Sequence, residues 1–114
     1  YRNTPTTRVT PSGAILRFDS MKEARRFDWL IERERRGEIR ELRLQVDFTL
    51  QEAYTDTEGR RVRAIRYRAD FTYYEGAQGV KVVEDVKSRA TRTREYAMKK
   101  KMLKDRFGLE ITEV

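Results

Sequence analysis

Two aspartates and a lysine stand at spacings that could bring them together on a β-sheet. Asp70 lies in an alternating run of apolar and polar residues, and Asp85 and Lys87 lie two residues apart in the next such run. Side chains alternate between the faces of a strand, so Asp85 and Lys87 share a face, and a hairpin would set Asp70 opposite them. Two such carboxylates can hold a divalent cation that activates water, and an ammonium group can orient or deprotonate that water. This is the chemistry of phosphodiester hydrolysis.

The triplet of an acid, any residue and a lysine is weak evidence by itself. In a chain of this composition it arises by chance about once. Its structural alternative is a cross-strand ion pair on a solvated face of a sheet. The elements that would carry the three residues therefore decide how much weight they deserve.

The hydrophobic pattern predicts an α/β fold, with a mixed α+β sheet and the element order αβββαβ. The predicted elements are a helix from Ser20 to Gly37 with Ala24, Phe27, Leu30 and Ile31 on one face, strands over 39–50, 65–73 and 80–87, a basic helix from about Thr93 to Phe107 ended by Gly108, and a short strand over 109–112. The first three strands are expected to be antiparallel. The last is expected to be parallel after a right-handed crossover, with the helices covering the sheet.

The pattern also predicts the form of residues 1–13 and the side-chain directions of the third strand. Residues 1–13 hold both prolines and no periodicity, which indicates an extended arm, and residues 14–114 are expected to form a single domain. In the strand over 80–87, alternation places Val80, Val82 and Val86 on one face with Glu84, and Lys81, Val83, Asp85 and Lys87 on the other.

Composition narrows both the partner and the chemistry. The 114 residues contain 26 Lys and Arg against 19 Asp and Glu, a formal charge of +7, which favours a polyanion such as DNA as partner. The absence of Cys and His excludes disulfides, thiolate zinc sites and imidazole catalysis. Carboxylates are natural ligands for Mg²⁺, for which Mn²⁺ can substitute. No apolar run is long enough for a membrane span, so we expect a soluble protein in the cytoplasm without a membrane partner.

The order of elements and acids resembles the PD-(D/E)xK nuclease superfamily. In that superfamily an αβββαβ core carries an Asp on its second strand and D/E-x-K on its third, which matches Asp70 and Asp85-Val86-Lys87. The proline that usually precedes the first acid is replaced by Ala69. The resemblance implies Asp70 and Asp85 as metal ligands, the Val86 carbonyl as a third ligand, and Lys87 as a catalytic residue at the attacking water.

A closer resemblance covers most of residues 15 to 113. The matching runs are Phe18-Asp19-Ser20, Glu23-Ala24-Arg25-Arg26, Gly37-Glu38-Ile39, Gln45, Tyr67-Arg68-Ala69-Asp70-Phe71 and Glu84-Asp85-Val86-Lys87. They are similar to a phage family of small endonucleases of the Holliday junction resolvase type. This implies a four-way DNA junction as substrate, and a catalytic role for Glu23, which matches a functional Glu on the first helix of similar archaeal enzymes.

Glu23 has two interpretations. Ser20 and Glu23 form the S-x-x-E pattern of a helix capping box, which would satisfy backbone amides without any catalysis. Against this, Glu23, Phe27, Leu30 and Glu34 share one helical face, so Glu23 should point toward the sheet. A carboxylate there needs a metal or a hydrogen-bond donor.

Seven polar residues are candidates for DNA contact because of their charge or their place near the acids. They are Gln45, Arg66, Arg68, Arg92, Arg94, Lys99 and Lys100. Gln45 is on the polar face of the first strand, Arg66 and Arg68 are expected on the face of Asp70, and Lys100 is expected near the cleft. Each could equally be a solvated surface residue.

Three functions remain open. The first is the junction endonuclease, expected to act as a homodimer because paired cuts need two sites, with Trp29, Met98 or Met102 as interface candidates. The second is a non-catalytic nucleic-acid-binding module of the same fold. The third is a restriction-type or repair-type nuclease of the same fold, and only the resemblance separates it from the first.

Overall fold

The computed structural model describes residues 5–87 and 93–114. In chain order their elements are β1 (Thr6–Val9), β2 (Ile15–Phe18), α1 (Met21–Arg35), β3 (Ile39–Gln51), β4 (Tyr54–Thr55), β5 (Arg61–Val62), β6 (Ile65–Glu75), β7 (Val80–Asp85), α2 (Arg94–Phe107) and β8 (Ile111–Glu113). The main sheet has the strand order β3-β6-β7-β8. Its first three strands are antiparallel, and β8 runs parallel to β7, so the α/β fold predicted from the sequence is confirmed.

Helix α1 begins and ends where its sequence provides caps. Ser20 has an extended backbone, and its hydroxyl accepts a hydrogen bond from the amide of Glu23 at 3.2 Å. At the other end Gly37 adopts φ +79°, a left-handed conformation that glycine reaches without strain. Between the caps, Ala24, Phe27 and Leu30 are buried against the sheet.

Two clusters of apolar side chains form the core. One lies under α1 and includes Phe71 and Tyr73 of β6, and the other includes Tyr67 and Ala69 of β6 together with Leu103 of α2. Strand β6 thus contributes odd-numbered residues to both clusters. The strand passes from one cluster to the other at residue 70, where a candidate catalytic acid stands.

Helix α2 is capped at both ends. The hydroxyl of Thr93 accepts a hydrogen bond from the amide of Tyr96 at 3.1 Å, and Gly108 ends the helix with φ +70°. Leu103 is fully buried, and β8 then completes the sheet beside β7. Within residues 5–87 and 93–114, no helix has the length and apolarity needed to cross a membrane.

Residues 6–13 of the segment predicted as an extended arm belong to a hairpin. Strand β1 is extended but pairs with β2, with Val9 opposite Ile15, and the turn between them is closed by a bond from the Ala14 amide to the Thr10 hydroxyl at 3.0 Å. Arg8 attaches the hairpin to α1 through Asp28 at 2.8 Å. The Pro-Ser-Gly run that suggested an arm is the turn of this hairpin.

Strand β7 is buried more completely than its alternation predicted. The strand ends at Asp85 rather than at residue 87, and Val83, Glu84 and Asp85 are all buried. Val82 belongs to the cluster under α1 and Val83 to the cluster with α2. Side chains on both faces of β7 are therefore packed in the core, which argues against the alternative of a cross-strand ion pair on a solvated face.

Candidate active site

The Asp70 and Asp85 side chains meet at the end of the β6–β7 ladder. Phe71 is paired with Glu84, so the next step of the same register sets Asp70 opposite Asp85. In this register the two side chains are direct cross-strand neighbours on one face of the two strands. The structure therefore brings together the two acids whose pairing the sequence predicted.

Each of the two carboxylates is fixed by its own donors. Asp70 Oδ2 accepts a hydrogen bond from the Val86 amide at 2.7 Å. Asp85 Oδ2 accepts one from the Tyr67 hydroxyl at 2.7 Å and lies 3.3 Å from the Lys87 ammonium nitrogen. The second oxygen of each carboxylate is directed elsewhere, so the pair retains acceptors for a further ligand.

Lys87 is held between an acid and an aromatic ring. Its side chain is only 11% exposed, and its ammonium nitrogen lies 3.7 Å from the centre of the Tyr96 ring. The Tyr96 hydroxyl in turn donates to Glu113 at 2.8 Å. The contact of Lys87 with the Tyr96 ring was not predicted from the sequence. Helical spacing had indicated only that the face of α2 carrying Tyr96 and Lys100 is turned toward the site. Lys100 does approach it, 3.4 Å from Glu113.

The backbone around Lys87 is fixed by the residue after β8. The amide of Val114 donates to the Asp85 carbonyl, and the amide of Lys87 donates to the Val114 carbonyl, both at 3.0 Å. The Lys22 ammonium group also donates to the Lys87 carbonyl, at 2.5 Å. Three hydrogen bonds, two with Val114 and one with Lys22, therefore fix the position and direction of the Asp85-Val86-Lys87 segment.

Glu23 of α1 joins the two aspartates through Gln45 of β3. The Gln45 side-chain amide donates to Glu23 Oε1 at 3.2 Å and lies 3.5 Å from Asp70 Oδ1. Gln45 achieves this with φ +53°, an uncommon backbone conformation for a residue other than glycine. The Ser20 hydroxyl caps the Glu23 amide, while the Glu23 carboxylate turns to Gln45, so capping and a place in the carboxylate cluster coexist. We call Glu23, Asp70 and Asp85 the carboxylate cluster.

The electrostatics of the carboxylate cluster favour a bound cation. Burial raises the pKa of Glu23, the negative charges of Asp70, Asp19 and Asp85 act in the same direction, and together they bring it to about 7. Burial also raises the pKa of Asp70, and Asp85 contributes in the same direction, whereas the hydrogen bond from the Val86 amide acts against it. Ionised carboxylates in this cluster repel one another, and a divalent cation would relieve that repulsion.

The donor set fits Mg²⁺ bound in its usual open manner. In residues 5–87 and 93–114, no group of three or more acids is arranged as a ready-made metal cage. Mg²⁺ does not need one, because it commonly binds through one or two carboxylates and keeps its other positions for water and substrate phosphates. The Oδ1 atoms of Asp70 and Asp85 provide such a pair, although that of Asp70 also lies 3.5 Å from the Gln45 amide. The Val86 carbonyl remains a predicted third ligand.

The predicted DNA-contacting residues are spread over three surfaces. Arg68 is 61% exposed and pairs with Asp47 at 2.9 Å. The sequence had suggested that its charge would lie beside Asp70, but the guanidinium group is directed to Asp47 instead. Arg66 is exposed on the same strand. On α2, Arg94 is exposed at the first position and Lys99 is 4.0 Å from Glu95. The remaining candidate, Arg92, lies outside the described residues.

Sequence reasoning missed a buried ion pair next to the carboxylate cluster. Glu84 is fully buried, and both its oxygens accept hydrogen bonds from Arg26, at 2.8 Å and 2.5 Å. The Tyr73 hydroxyl also donates to this carboxylate. A glutamate among valines on one face of β7 was the signal, because a charge at such a position requires a buried partner.

Two grooves of the described residues lie away from the carboxylate cluster. One of about 480 Å³ is lined by residues of β1 and α1, including Phe27 and Ile31, and one of about 490 Å³ is lined by lysines of α2. Neither contains Asp70 or Asp85. The carboxylate cluster stands where the β6–β7 ladder ends, with Asp85 the last residue of β7 and Asp70 in the middle of β6.

Comparison with known proteins gives a family without an activity. A family model described as "Protein of unknown function (DUF1064)" matches residues 7–112. Searches among curated proteins and among solved structures found no match. The match covers both helices and all of the main sheet except Glu113, including every residue of the carboxylate cluster.

Proposed function

This chain belongs to the DUF1064 family, whose description states no function, and from the site itself we propose that it is a Mg²⁺-dependent DNA endonuclease. The observation that carries the proposal is the approach of Asp70 to Asp85, with Lys87 held 3.3 Å from Asp85. Two carboxylates and an ammonium group in one place are the side chains that phosphodiester hydrolysis requires when no histidine is present.

Each residue of the site has a chemical task in this proposal. A bound Mg²⁺ would act as a Lewis acid on the phosphate and lower the pKa of an attacking water. Asp70 and Asp85 offer it their free oxygens. Lys87 holds its ammonium group beside Asp85, where it can donate a hydrogen bond to the water or to a phosphate oxygen. Tyr67 keeps Asp85 in place.

Glu23 is suited to move a proton in the same reaction. Its pKa of about 7 makes it a base that is partly ionised near neutral pH. The Gln45 amide keeps its carboxylate turned toward Asp70. We propose that Glu23 accepts a proton from water, directly or through a second water, while the two aspartates remain ionised.

The substrate we propose is a four-way DNA junction cut by a homodimer. The net charge of +7 favours a polyanion, and the resemblance to resolvase-type endonucleases favours a branched one. Trp29 and Met98 are about half exposed, at 48% and 46%, and are available to an interface, whereas Met102 is partly buried. Sedimentation of the protein with a labelled junction tests the dimer: one protomer per junction with paired cleavage would exclude it.

The direct experiment compares two DNA substrates with and without metal. Purified protein is incubated with a labelled four-way junction and with a linear duplex of the same arm sequence, in Mg²⁺ or in chelator. We expect cleavage of the junction in Mg²⁺ only, with paired cuts in strands of like polarity. Cleavage in chelator would refute the metal-dependent mechanism. Equal cleavage of both DNAs would instead favour a restriction-type or repair-type nuclease.

A second candidate is a DNA-binding module without catalysis. The net charge of +7 favours it, because contact with a polyanion requires charge but no metal. Such a module would bind the junction in Mg²⁺ and leave it intact at every enzyme concentration. The same incubation, followed by native electrophoresis in chelator, separates the two candidates.

A further inference from the structure

Strands β3 and β6 continue beyond the main sheet into a second hairpin. Tyr54 pairs with Val62 and Thr55 with Arg61, forming a two-stranded ribbon that we call the distal hairpin, residues 52–64. Its turn is fixed from within. Asp56 Oδ1 accepts hydrogen bonds from the amides of Glu58 at 2.9 Å and of Arg60 at 2.8 Å. The ribbon therefore has a defined shape although neither helix covers it.

The acids of the distal hairpin are already occupied. Glu58 pairs with Arg60 at 3.1 Å, and Glu52 pairs with Arg106 of α2 at 3.6 Å. Asp56 is engaged by the two backbone amides of the turn. None of the three carboxylates is left to neutralise other arginines of this segment.

Three exposed arginines lie on the distal hairpin or directly after it, Arg61 and Arg63 within residues 52–64 and Arg66 at the start of β6. Arg61, Arg63 and Arg66 are exposed, and within the described part of the chain none of them has a carboxylate oxygen within 4.0 Å of its guanidinium group. Arginine presents a rigid fork of donors that suits phosphate oxygens. A row of unpaired guanidinium groups on an exposed ribbon is a surface for a polyphosphate.

This surface lies within one turn of DNA of the carboxylate cluster, because Arg66 is four residues from Asp70 along β6 and Arg61 lies farther out. Gln45, which contacts Asp70, and Thr55, which pairs with Arg61, are ten residues apart along β3 and β4. At the rise of an extended strand this separation is at most roughly 33 Å. Successive turns of a B-form duplex are about 34 Å apart.

We propose that the distal hairpin, together with Arg66 at the start of β6, is a DNA-binding arm, whose Arg61, Arg63 and Arg66 contact the phosphate backbone of a duplex within about one helical turn of the carboxylate cluster. The position of the cut relative to this arm rests on the proposed endonuclease function. Binding of the duplex by the arm does not, because phosphate contact requires charge and shape but neither metal nor cleavage.

The test measures affinity in chelator, where cleavage cannot contribute. A variant with Arg61→Ala, Arg63→Ala and Arg66→Ala is compared with a control that loses the same charge elsewhere, Arg17→Ala, Arg25→Ala and Lys101→Ala. All six side chains are exposed, and circular dichroism checks that both variants fold. Binding to a fluorescent duplex of about three helical turns is followed by anisotropy over a range of salt concentrations.

The arm variant should bind at least about tenfold more weakly at low salt than wild type. The slope of log K against log salt should fall by about 2.7 if each arginine displaces counterions from one phosphate. In the control variant, the loss of affinity and the decrease of the salt slope should each be less than half as large. Equal losses in the two variants would overturn the arm and leave the endonuclease proposal standing.

Footprinting locates the contact on the DNA. When wild type is bound to a duplex or junction in chelator, we expect hydroxyl-radical protection at two backbone segments within about one turn of each other. The arm variant should lose only one of them. Identical footprints for wild type and arm variant would overturn the proposal. If the wild type never cleaves DNA but the arm variant selectively loses affinity and one footprint, the endonuclease proposal fails and the arm stands.

Discussion

Glu84 and Asp85 are consecutive residues of β7, both are buried, and their surroundings are opposite in kind. Glu84 is enclosed by donors, two from Arg26 and one from Tyr73. Asp85 has Tyr67 and Lys87 beside it, but it also faces the carboxyl group of Asp70. The charge of Glu84 is compensated by its neighbours within the fold. Asp85 belongs to the carboxylate cluster, which has an excess of negative charge.

The comparison shows why burial of an acid does not by itself mark a functional site. A buried carboxylate that receives a bidentate arginine and a hydroxyl group is a structural connection, here between α1 and β7. Buried carboxylates that face one another have raised pKa values and an unmet need for a cation. The sign of the neighbouring charges, more than exposure, separates the two roles.

The largest effect should follow from removing charge from the carboxylate cluster. We expect Asp70→Asn and Asp85→Asn each to lower kcat by roughly 10⁴-fold, because loss of a metal ligand removes several kcal/mol of transition-state stabilisation. Single-turnover cleavage of a labelled junction measures this loss. Asp105→Asn on the exposed face of α2 is the matched control and should cleave at the wild-type rate. DNA binding in chelator should survive in all three variants.

The Glu84 network should respond in stability instead. Arg26→Met removes the partner of a fully buried carboxylate, and we expect it to lower the free energy of unfolding by about 3 kcal/mol. Urea denaturation followed by fluorescence of Trp29 measures the loss. Replacement of both partners, Arg26→Met with Glu84→Gln, should restore part of it. If the protein with Arg26→Met alone is as stable as wild type, Glu84 is not held by Arg26.

The carboxylate cluster should make the metal-free protein less stable as pH rises. The pKa of Glu23 is about 7 when folded and near its ordinary value of 4.5 when unfolded. Between these values the folded state holds more protons than the unfolded state, so the free energy of unfolding decreases with increasing pH. Asp70 acts in the same direction.

Denaturation in chelator at pH 5 and pH 8 measures this effect. Glu23→Gln should show a smaller decrease over that range than wild type, whereas Asp105→Asn should follow wild type. Added Mg²⁺ should restore stability at pH 8 by binding the folded state. A Glu23→Gln profile parallel to wild type would contradict the assigned pKa.

The smallest effect concerns the ring that contacts Lys87. Tyr96→Leu removes a cation–π contact worth about 1 kcal/mol, so we expect kcat to fall by roughly fivefold to tenfold with little change in KM. Tyr96→Phe keeps the ring and loses only the hydroxyl that bonds Glu113, and it should retain most of the activity. Equal kcat values for the Leu and wild-type proteins would show that the ring does not position Lys87.

Much of the fold could be predicted because local signals agreed with it. Ser20, Gly37 and Gly108 mark the helix ends, and the long alternating runs predicted β3 and β6 with nearly correct bounds. The hairpin of β1 and β2 was missed because each strand has only four residues, too few for alternation to be visible. Its turn contains residues equally typical of an irregular segment.

The sequence predicted the acids of the candidate site better than it predicted the side chains that contact them. Alternation and a hairpin suffice to bring Asp70 near Asp85, because strand geometry fixes which side chains are neighbours. The contact of Lys87 with Tyr96 and the bonds from Gln45 depend on how the helices and β3 pack against the sheet. Such tertiary contacts have no local pattern. The same limit explains why Arg68 was expected beside Asp70 and is found on Asp47.

The backbone of Gln45 has a consequence for engineering. At φ +53° a glutamine is strained by roughly 1 kcal/mol or more, and glycine would adopt that conformation freely. A library selected only for heat resistance should therefore accumulate Gln45→Gly, gaining stability while losing the amide that joins Glu23 to Asp70. Selection for cleavage should reject the same change. The position thus marks where stability and activity would be optimised in opposite directions.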